Sequence, residues 1–495
     1  MDTDAVRSTI AQTLVPALAA ALAAVGGSFA VAGFTPAFVP AALASAVARL
    51  SPGALVTFAI TVLGDLGKLL NIAMGFALGV GLFGALTAIA IAVGRRTDMA
   101  VASPVLAGVS VFAAAALLTD TLFASLVGGF AAAVVLAVGP VLAYLPATTG
   151  VAPGRRHALG TVGTALATVG LGYAVGRNRG DGPSREPVTD PEVRSLLDDA
   201  TAKSLSVEGL EPLVSDQFYT VDIAAAAPTI TADEWTLSVT GNVEQEVEID
   251  YDELTGMESR EVFATLRCVG ESLNGKKMDT ALWTVVPAAE LVDRAGASGN
   301  CCVMLRAADG YYEEFPLSAL REGLFAYRMN GRPLPRGHGY PVRALIPGHW
   351  GEINVKWVTE IEVLDEEVDG YWEKKGWHGT GPVNTVAKLH AVDRADGQIT
   401  VAGHAYAGTR GISAVEVSTD GGATWTEATL SEPLPSPEAD RAIDAWRQWA
   451  HEYEAPGGRH EVVVRAREAD GTLQPREETG AYPSGPSGWV SKEIG

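Results

Sequence analysis

The sequence of 495 residues is short of basic residues, of histidine and of cysteine. It contains 36 lysine and arginine residues against 58 aspartate and glutamate residues, so its net charge is −22. A chain with so few cations is not expected to bind nucleic acid, because phosphate contacts require lysine and arginine. Self-repulsion and carboxylate hydration keep such a surface soluble in concentrated salt, so the composition predicts a halophilic protein.

The three cysteines are Cys268, Cys301 and Cys302, which excludes a disulfide framework. Adjacent residues of a strand point to opposite faces, so we do not expect a bridge between Cys301 and Cys302. These two are predicted to be small, buried strand residues. Cys268 is a solitary thiol in a polar context, and it requires a separate explanation.

Long hydrophobic runs are confined to residues 1–180, which carry a net charge of +4, whereas residues 181–495 carry −26. Five runs of about 20 residues are long enough to cross a bilayer. They lie near 10–33, 69–93, 99–119, 121–146 and 158–176. A sixth run, 54–64, is short and meets Asp65 and Lys68, so a short span, a re-entrant piece and an interfacial helix all remain open. The sequence therefore predicts a bundle of five transmembrane helices, or six if this run also spans.

Paired arginines indicate the orientation of these spans. Arg95 and Arg96 follow the second long run, and Arg155 and Arg156 precede the last. The positive-inside rule places both pairs in the cytoplasm, so the last span carries the acidic part of the chain to the outside. Arg155 and Arg156 before an apolar run also resemble a twin-arginine export signal, and a simple cytoplasmic anchor is the alternative.

Histidine is almost missing from the apolar part, where His157 is the only one. A membrane-embedded b-type haem needs two axial ligands, usually histidines, so a cytochrome b is excluded. Asp65, Lys68 and Asp120 lie near the ends of runs and do not form the buried charge chain of a pump. The membrane domain is therefore predicted to act as an anchor in the lipid bilayer.

The remaining residues predict a linker and two further domains. A stretch rich in Gly, Pro and Ser at 176–191 is typical of a linker. Short strand-like runs with a helical pattern at 284–295 predict an α+β domain, and alternating runs after about 385 predict an immunoglobulin-like sandwich. The predicted boundaries are 1–180, 181–204, 205–380 and 381–495. The strand-like runs are 235–239, 262–268, 301–307, 355–363, 398–406, 412–418, 424–430 and 460–468.

Residues 338–357 combine basic side chains with rigid turns. His338, Arg343 and Lys356 are separated by Gly and Pro residues that permit close backbone approach. Such cations can converge on a phosphate or another anion, although an ordinary surface loop has the same composition. Spacing alone leaves both interpretations open.

The order of several motifs is more specific. The stretch 338–357 reads His-Gly-x-Pro-x-Arg, Pro-Gly-x-x-Gly and Val-Lys-Trp, and 324–335 reads Leu-Phe-Ala-Tyr-Arg-Met-Asn-Gly-Arg-Pro-Leu-Pro. Upstream, 264–270 reads Ala-Thr-Leu-Arg-Cys-Val-Gly, and downstream 416–425 reads Glu-Val-Ser-Thr-Asp-Gly-Gly-Ala-Thr-Trp. Together, over roughly 205–485, these motifs resemble the sulfite oxidase family of molybdopterin-dependent oxidoreductases. The resemblance does not extend to residues 1–180.

This resemblance implies a molybdenum-molybdopterin cofactor and a set of site residues. Cys268 would be the protein ligand to the metal, a role that suits a soft thiolate. His338 and Arg343 match positions that hold the pterin and its phosphate. Tyr311 matches the family's tyrosine beside the metal, with Tyr312 as the alternative. The resemblance further implies cofactor contacts by Asp309, Asn354, Val355 and Lys356.

Two departures from the family pattern concern the substrate. Where the family carries arginine in its "phe-phe-val-arg-asn-his" run, this chain has Phe-Tyr-Thr-Val-Asp at 218–222. Where the family follows the cysteine with "ala-gly-asn-arg-arg", this chain has Val-Gly-Glu-Ser-Leu at 269–273. Two arginines that would bind a dianion therefore have no match. Glu271 is expected to add negative charge, for which Lys276 or Lys277 would compensate.

The resulting hypothesis is a membrane-anchored oxidoreductase acting outside the cytoplasmic membrane. It would transfer an oxygen atom to or from a sulfur compound, with sulfite as the first substrate to test and an external one-electron carrier as partner. The missing arginines favour one alternative, reduction of a neutral sulfoxide or N-oxide such as oxidised methionine. The other alternative is a membrane-anchored binding module without activity. The resemblance of the C-terminal sandwich to the family's dimerisation domain implies a homodimer.

Overall fold

A computed structural model describes residues 10–97, 101–143, 153–177, 187–297, 299, 301–395, 397–435 and 444–495. The chain divides into two compact units. The first unit comprises 1–51, 64–181 and 222–229, and the second comprises 52–63, 182–221 and 230–495. The short apolar run predicted at 54–64 thus falls almost entirely in the second unit, together with the β-rich domains.

The first unit is helical. After a π-helix at Ile10–Leu14 its helices are Val15–Ala32, Val39–Leu50, Asp65–Thr97, Ala102–Thr119, Leu122–Ala143 and Pro153–Gly176. Glycine and alanine let these helices approach closely. A Cβ added at Gly172 would lie 2.1 Å from the carbonyl oxygen of Gly26, so neither position in this crossing has room for a larger side chain.

Length and composition identify the helices that can cross a membrane. Among the described residues, four helices meet both criteria, and there are five if Val39–Leu50 and Gly53–Leu63, joined at a sharp bend, form one broken span. Leu122–Val138 is a shorter apolar helix. All five predicted long runs thus contain a helix, whereas the helix Val39–Leu50 was not predicted. The side chains of Arg155 and Arg156, on which the export signal depends, lie outside the described residues. The four long helices are Gln12–Ala32, Asp65–Thr97, Ala102–Thr119 and Ala158–Gly176.

A helix, Pro191–Lys203, occupies the later part of the predicted linker. Asp190 caps it by accepting a hydrogen bond from the Glu192 backbone N–H at 2.9 Å, and the fixed φ of Pro191 suits the first helical turn. Val193 and Ala200 are buried in the core of the second unit. The middle of the predicted linker, 178–186, lies outside the described residues.

Two five-stranded sheets form the α+β domain. The first has the order β2-β1-β10-β5-β6, and the second has the order β3-β4-β7-β8 with β9 paired to β7. Three short helices, Tyr251–Gly256, Ala288–Arg294 and Leu317–Arg321, connect the strands. The strands are β1 (Thr236–Gly241), β2 (Val247–Asp250), β3 (Arg260–Arg267), β4 (Met278–Pro287), β5 (Cys302–Ala307), β6 (Tyr312–Pro316), β7 (Leu324–Met329), β8 (Arg332–Pro333), β9 (Arg343–Leu345) and β10 (Val358–Leu364).

The predicted strands of this domain are confirmed, but the helical pattern at 284–295 was wrong for its first part. Strand β4 continues through Pro287, and the helix begins only at Ala288. Thr284, Val285 and Val286 are buried; the first two pair with neighbouring strands on both sides, and Val286 pairs with β7. Their β-branched side chains fit a pleated sheet better than a helix, and sheet pairing decided the outcome.

The expectation for the adjacent cysteines was also wrong. Cys301 and Cys302 form a disulfide, with their Cα atoms 3.7 Å apart. The opposite-face argument applies only when both residues belong to a strand. Strand β5 begins at Cys302, and Cys301 lies in the bend before it, so its side chain is free of the strand alternation.

The C-terminal domain consists of two sheets that share a hydrophobic core. One has the order β11-β13-β17-β16 with β12 on β13, and the other has the order β15-β14-β18-β19. Val401 and Trp449 from the first sheet and Val415 and Val464 from the second belong to one buried cluster. An immunoglobulin-like topology remains a prediction. The strands are β11 (Val386–Ala387), β12 (Ala391–Ala395), β13 (Gln398–Tyr406), β14 (Ile412–Ser418), β15 (Thr426–Glu427), β16 (Thr429–Leu430), β17 (Arg447–Glu454), β18 (His460–Glu468) and β19 (Val490–Ile494).

Candidate active site

Cys268 lies directly after the last residue of β3. Its backbone N–H donates a hydrogen bond to the carbonyl of Lys277 at 2.9 Å, which closes the loop that leads into β4. The thiol is not in a disulfide. Burial, followed by the nearby charge of Glu271, raises the pKa of Cys268 to about 11. The free thiol is therefore protonated near neutral pH, and a metal that binds it must displace this proton.

A buried ion triad supports this loop. Glu271 Oε1 accepts a hydrogen bond from Arg267 Nε at 2.9 Å and one from Lys388 Nζ at 2.6 Å, and all three side chains are at most 1% exposed. Its second oxygen, Oε2, accepts the backbone N–H of Lys277 at 2.9 Å. Arg267 also lies 4.7 Å above the ring of Trp350.

The expectation that Glu271 adds negative charge near Cys268 was wrong. Its carboxylate is enclosed by two cations, so the three groups together carry one positive charge. Lys276, one of the two lysines proposed to compensate, has an exposed side chain, and Lys277 is half-buried. The sequence could not reveal this arrangement, because Lys388 is 117 residues from Glu271.

His338, Arg343 and Lys356 lie close together, in a group called the cradle, and their role as an anion site stays a prediction. Arg343 Nη1 donates to the carbonyl of His338 at 3.2 Å, and a β-bridge pairs Arg343 with Lys356. Gly339 lies between them with a φ of +110°. A Cβ at Gly339 would lie 2.8 Å from Cβ of Arg343 and 3.3 Å from Cα of Lys356, so this turn requires glycine.

Hydrogen bonds of Asn354 and Val355 hold the segment before Lys356 against the segment after Arg343. The Asn354 side chain accepts the Ile346 backbone N–H at 2.8 Å and donates to the carbonyl of Trp350 at 2.9 Å. The carbonyl of Val355 accepts the Ala344 backbone N–H at 2.8 Å. The Asn354 amide is thus engaged within the protein.

Lys356 is held in place by two backbone carbonyls. Its Nζ donates to Val221 and to Gly337, each at 3.0 Å, and lies 4.6 Å from the ring of Trp357. These contacts hold the ammonium group at one position, so its charge is fixed relative to Arg343.

Asp309 and Tyr311 lie in the turn between β5 and β6. Asp309 Oδ1 accepts the Tyr311 backbone N–H at 3.0 Å, which shapes the turn. The Tyr311 hydroxyl is 2.9 Å from Oε2 of Glu313 and 2.8 Å from the carbonyl oxygen of Glu352. It is therefore engaged within the protein rather than free to meet a substrate. Tyr312, the alternative, accepts a hydrogen bond from Lys374 Nζ at 3.0 Å.

Family models match this chain over both β-rich domains. The oxidoreductase molybdopterin binding domain matches residues 224–372, and the Mo-co oxidoreductase dimerisation domain matches residues 382–482. These residues belong to the sulfite oxidase-type family of molybdopterin oxidoreductases. The implied cofactor is the molybdenum cofactor.

Curated relatives include both sulfite oxidases and nitrate reductases. Mitochondrial sulfite oxidase of Mus musculus is 27% identical over 284 residues, which cover 48% of this chain and 52% of that protein. Nitrate reductase [NADH] 1 of Nicotiana tabacum is 27% identical over 316 residues, which cover 50% of this chain and 35% of that protein. The chain spans about half the length of the sulfite oxidases that it matches. Among solved structures, sulfane dehydrogenase SoxCD of Paracoccus pantotrophus matches with a TM-score of 0.44 and 19% identity, covering 60% of this chain and 87% of that one.

Three carboxyl groups of this molybdopterin domain lie together, which the sequence did not indicate. One oxygen from each of Glu313, Glu352 and Glu373 lies within 4.8 Å of the other two. The residues come from β6, from the loop before β10 and from a short 3-10 helix, so no local spacing connects them. Burial raises the pKa of Glu313 to about 11 and that of Glu352 to about 8.

Burial is the main cause of the raised pKa of Glu313, and a hydrogen bond with Glu373 raises that pKa further. The contact with the Tyr311 hydroxyl opposes the shift, because a donated hydrogen bond stabilises the charged carboxylate. Glu313 is therefore expected to be protonated at neutral pH in spite of its contact with Tyr311.

These shifts predict that stability falls as the pH rises. A carboxyl whose pKa is raised by folding contributes stability below its unfolded value, and that contribution is lost as the pH rises toward the folded pKa. For Glu352 this window runs from its ordinary value of 4.5 to about 8. We expect the apparent Tm of the full chain to fall between pH 5 and pH 8, and Glu352→Gln to reduce this fall by at least about 3 °C. Glu366→Gln, an exposed control, should follow the wild type, and an equal fall in Glu352→Gln would contradict the assignment.

Gly270 belongs to the loop between β3 and β4 that contains Cys268, at the point where this loop meets the segment 53–63. A Cβ at Gly270 would lie 2.8 Å from Cγ2 of Ile60, 3.6 Å from the Trp377 ring and 3.9 Å from Sγ of Cys268. Ile60 packs against the core of the second unit. Part of the short apolar run therefore lies close to the Cys268 loop, and its hydropathy could not predict this position.

This crowding predicts a coupled effect of two substitutions. Gly270→Ala places a methyl group against the β-branched Ile60, and overpacking of this kind costs about 1–3 kcal/mol. Ile60→Ala in the same protein should relieve the clash. We expect a double-mutant cycle, read as apparent Tm and as molybdenum content, to show a coupling of about 1 kcal/mol or more. Strictly additive effects would show that Ile60 does not contact this loop.

Proposed function

We propose that this chain is a membrane-anchored molybdenum-cofactor oxidoreductase that acts outside the cytoplasmic membrane and transfers an oxygen atom to or from a sulfur compound. The supporting observation is the combination of the free Cys268 thiol at the end of β3 with the cradle of His338, Arg343 and Lys356. The cofactor, when bound, supplies the two-electron chemistry and the exchange of oxygen. Electrons would leave one at a time to an external carrier.

The residues of the site suit this cofactor. Cys268 is a soft donor for the metal, and the cradle supplies positive charge for the pterin phosphate. The close packing of Gly339 against Arg343 and Lys356 keeps these two side chains in one place. The protein thus contributes a ligand, a fixed anion site and a rigid framework.

Sulfite is the first substrate to test, since curated relatives include sulfite oxidases. The charge of Glu271 no longer argues against an anion, because Arg267 and Lys388 neutralise it. However, both cations are committed to that ion triad, and the segment 218–222 contains no arginine. This specific observation favours a second candidate, reduction of a neutral sulfoxide or N-oxide.

Metal analysis followed by a substrate screen tests the proposal. Full-length protein purified in detergent from cells supplied with molybdate should contain molybdenum and pterin. Sulfite with an artificial electron acceptor tests oxidation, and dimethyl sulfoxide or methionine sulfoxide with a reduced viologen dye tests reduction. Protein without molybdenum or pterin would contradict the cofactor role, and loaded protein that turns over none of these compounds would contradict the reaction.

The membrane arrangement is part of the same proposal. The paired arginines at 95–96 and 155–156 support a cytoplasmic position for the ends they flank, with residues 205–495 outside. Protease accessibility in oriented vesicles would test this orientation. The dimerisation domain supports a homodimer, which mass measurement in detergent would test. The acidic composition supports a requirement for concentrated salt.

A further inference from the structure

Tyr219 lies just before the part of the chain that the molybdopterin domain model matches. Its backbone N–H donates to Asp279 Oδ2 at 2.6 Å, which attaches it to strand β4. Its ring stacks on Phe218 with a centroid separation of 5.5 Å, and Phe218 in turn packs edge-on against His338 of the cradle at 5.6 Å. The backbone and the ring of Tyr219 are therefore both fixed.

The hydroxyl of Tyr219 lies beside the segment that carries the metal ligand. It is 3.0 Å from the point where a Cβ of Gly351 would lie, and the carbonyl oxygen of Arg267 is 3.2 Å from the same point. The Gly351 backbone N–H donates to that carbonyl at 2.8 Å, so the two segments are joined. Cys268 is the next residue after Arg267. The Tyr219 hydroxyl therefore lies beside Gly351 and close to Arg267, the residue that precedes Cys268.

Electrostatics agree with this placement. Burial and then the charge of Cys268 raise the pKa of Tyr219 well above its usual value, while Arg343 opposes the shift. The phenol keeps its proton at neutral pH and can act as a donor.

The two tyrosines of the site differ in the engagement of their hydroxyl groups. The Tyr311 hydroxyl is occupied by Glu313 and by the carbonyl of Glu352. Within the described residues, the contacts of Tyr219 are its backbone hydrogen bond and its ring packing, and its hydroxyl has no hydrogen-bond partner there. Tyr219 is half-buried, and a donor that no protein group engages can position a ligand.

We propose that Tyr219 is the phenol that donates a hydrogen bond to a substrate oxygen beside Cys268, and that Tyr311 belongs to the framework of the carboxyl cluster. This inference rests on the proposed function. A neutral donor at this place also suits a segment in which the family's arginine is missing. It would orient the oxygen that is exchanged without requiring a charged substrate.

Ligand binding to the loaded full-length protein tests the proposal without relying on turnover. Dimethyl sulfoxide and sulfite are titrated separately, and binding is followed by the change in the electron paramagnetic resonance of the dye-reduced metal. We expect Tyr219→Phe to weaken binding of the recognised probe by about tenfold or more, which corresponds to one lost hydrogen bond to a buried group. The effect should exceed that of Tyr311→Phe by about tenfold. Tyr251→Phe, a change at a tyrosine packed between Trp235 and Tyr327, should bind as the wild type does.

The outcomes separate this proposal from the proposed function. A larger loss in Tyr311→Phe than in Tyr219→Phe would overturn the assignment of Tyr219, as would unchanged binding in Tyr219→Phe. Intact binding by the wild type without turnover would contradict the reaction alone, and a wild type that binds neither probe would contradict both. If Tyr219→Phe loads too little molybdenum to measure, Tyr219→His keeps a ring and a donor. It should then bind the probe more tightly than Tyr219→Leu, and equal affinities would reject the donor role.

Discussion

Replacing Cys268 with serine is expected to lower activity by more than about 100-fold, because loss of residues that only support metal ligands already costs 10- to 100-fold. The hydroxyl group is a harder donor than the thiolate and does not ionise near neutral pH, so it cannot replace a soft anionic ligand. Pterin content should change much less than activity, because His338, Arg343 and Lys356 remain in place. The visible spectrum of the oxidised protein should lose its thiolate-to-metal absorption.

The other two cysteines provide a matched control for this result. Cys301→Ser combined with Cys302→Ser makes the same residue substitution, although it removes a disulfide and not a free thiol, at the far end of β5 from the Asp309–Tyr311 turn. This variant should keep its activity within about threefold and retain the thiolate-to-metal absorption, in line with a change outside the site. If activity survives in Cys268→Ser but not in the control variant, Cys268 is not a ligand of the metal.

The largest expected effect on stability comes from Glu271. Glu271→Gln removes the only carboxylate of the triad and leaves the guanidinium of Arg267 and the ammonium of Lys388 buried together. Breaking a buried ion pair from one side costs about 3–5 kcal/mol. Burial already lowers the pKa of Lys388 to about 8 despite the opposing attraction of Glu271. We therefore expect Lys388 to lose its proton in the variant, which limits the cost to the lower end of this range.

Tryptophan fluorescence during denaturation would measure this effect, since Arg267 stacks on Trp350. Lys388→Met leaves Arg267 and Glu271 as a pair of opposite charges, so it should lower the free energy of unfolding less than Glu271→Gln does. Glu253→Gln breaks an exposed pair with Arg294 and should cost less than about 1 kcal/mol. If Glu271→Gln lowers the free energy of unfolding no more than Glu253→Gln does, the triad does not support the loop between β3 and β4.

The triad also explains a departure from the family pattern. The glutamate three residues after Cys268 does not project negative charge at a substrate. It anchors the loop between β3 and β4 to the C-terminal domain through Lys388. The contrast between sulfite and a neutral substrate therefore depends on which donors remain free near Cys268. Among the described residues, the Tyr219 hydroxyl and the buried Trp377 Nε1–H are two donors for which no protein partner is found.

Local pattern and motif order were sufficient for the elements with strong signals. The alternation of apolar and polar residues predicted β13, β14 and β18. The helix prediction was wrong at 284–287, because pairing of β4 with β3 and β7 outweighed an ambiguous apolar pattern. It also failed for Cys301, because a residue one position outside a strand is not bound by strand alternation.

Composition and local motifs were enough to divide the chain into an apolar helical part and an acidic β-rich part and to predict the family of the latter. They also predicted Cys268, His338, Arg343 and Lys356 as site residues, which stay a prediction. These features depend on composition or on residues close together in the chain. The tertiary structure was needed to show that Glu271 is neutralised by Lys388, that the Tyr311 hydroxyl is engaged, and that Ile60 lies beside Gly270. Each of these depends on contacts between residues that are distant along the chain, and hydropathy and motif spacing carry no information about such contacts.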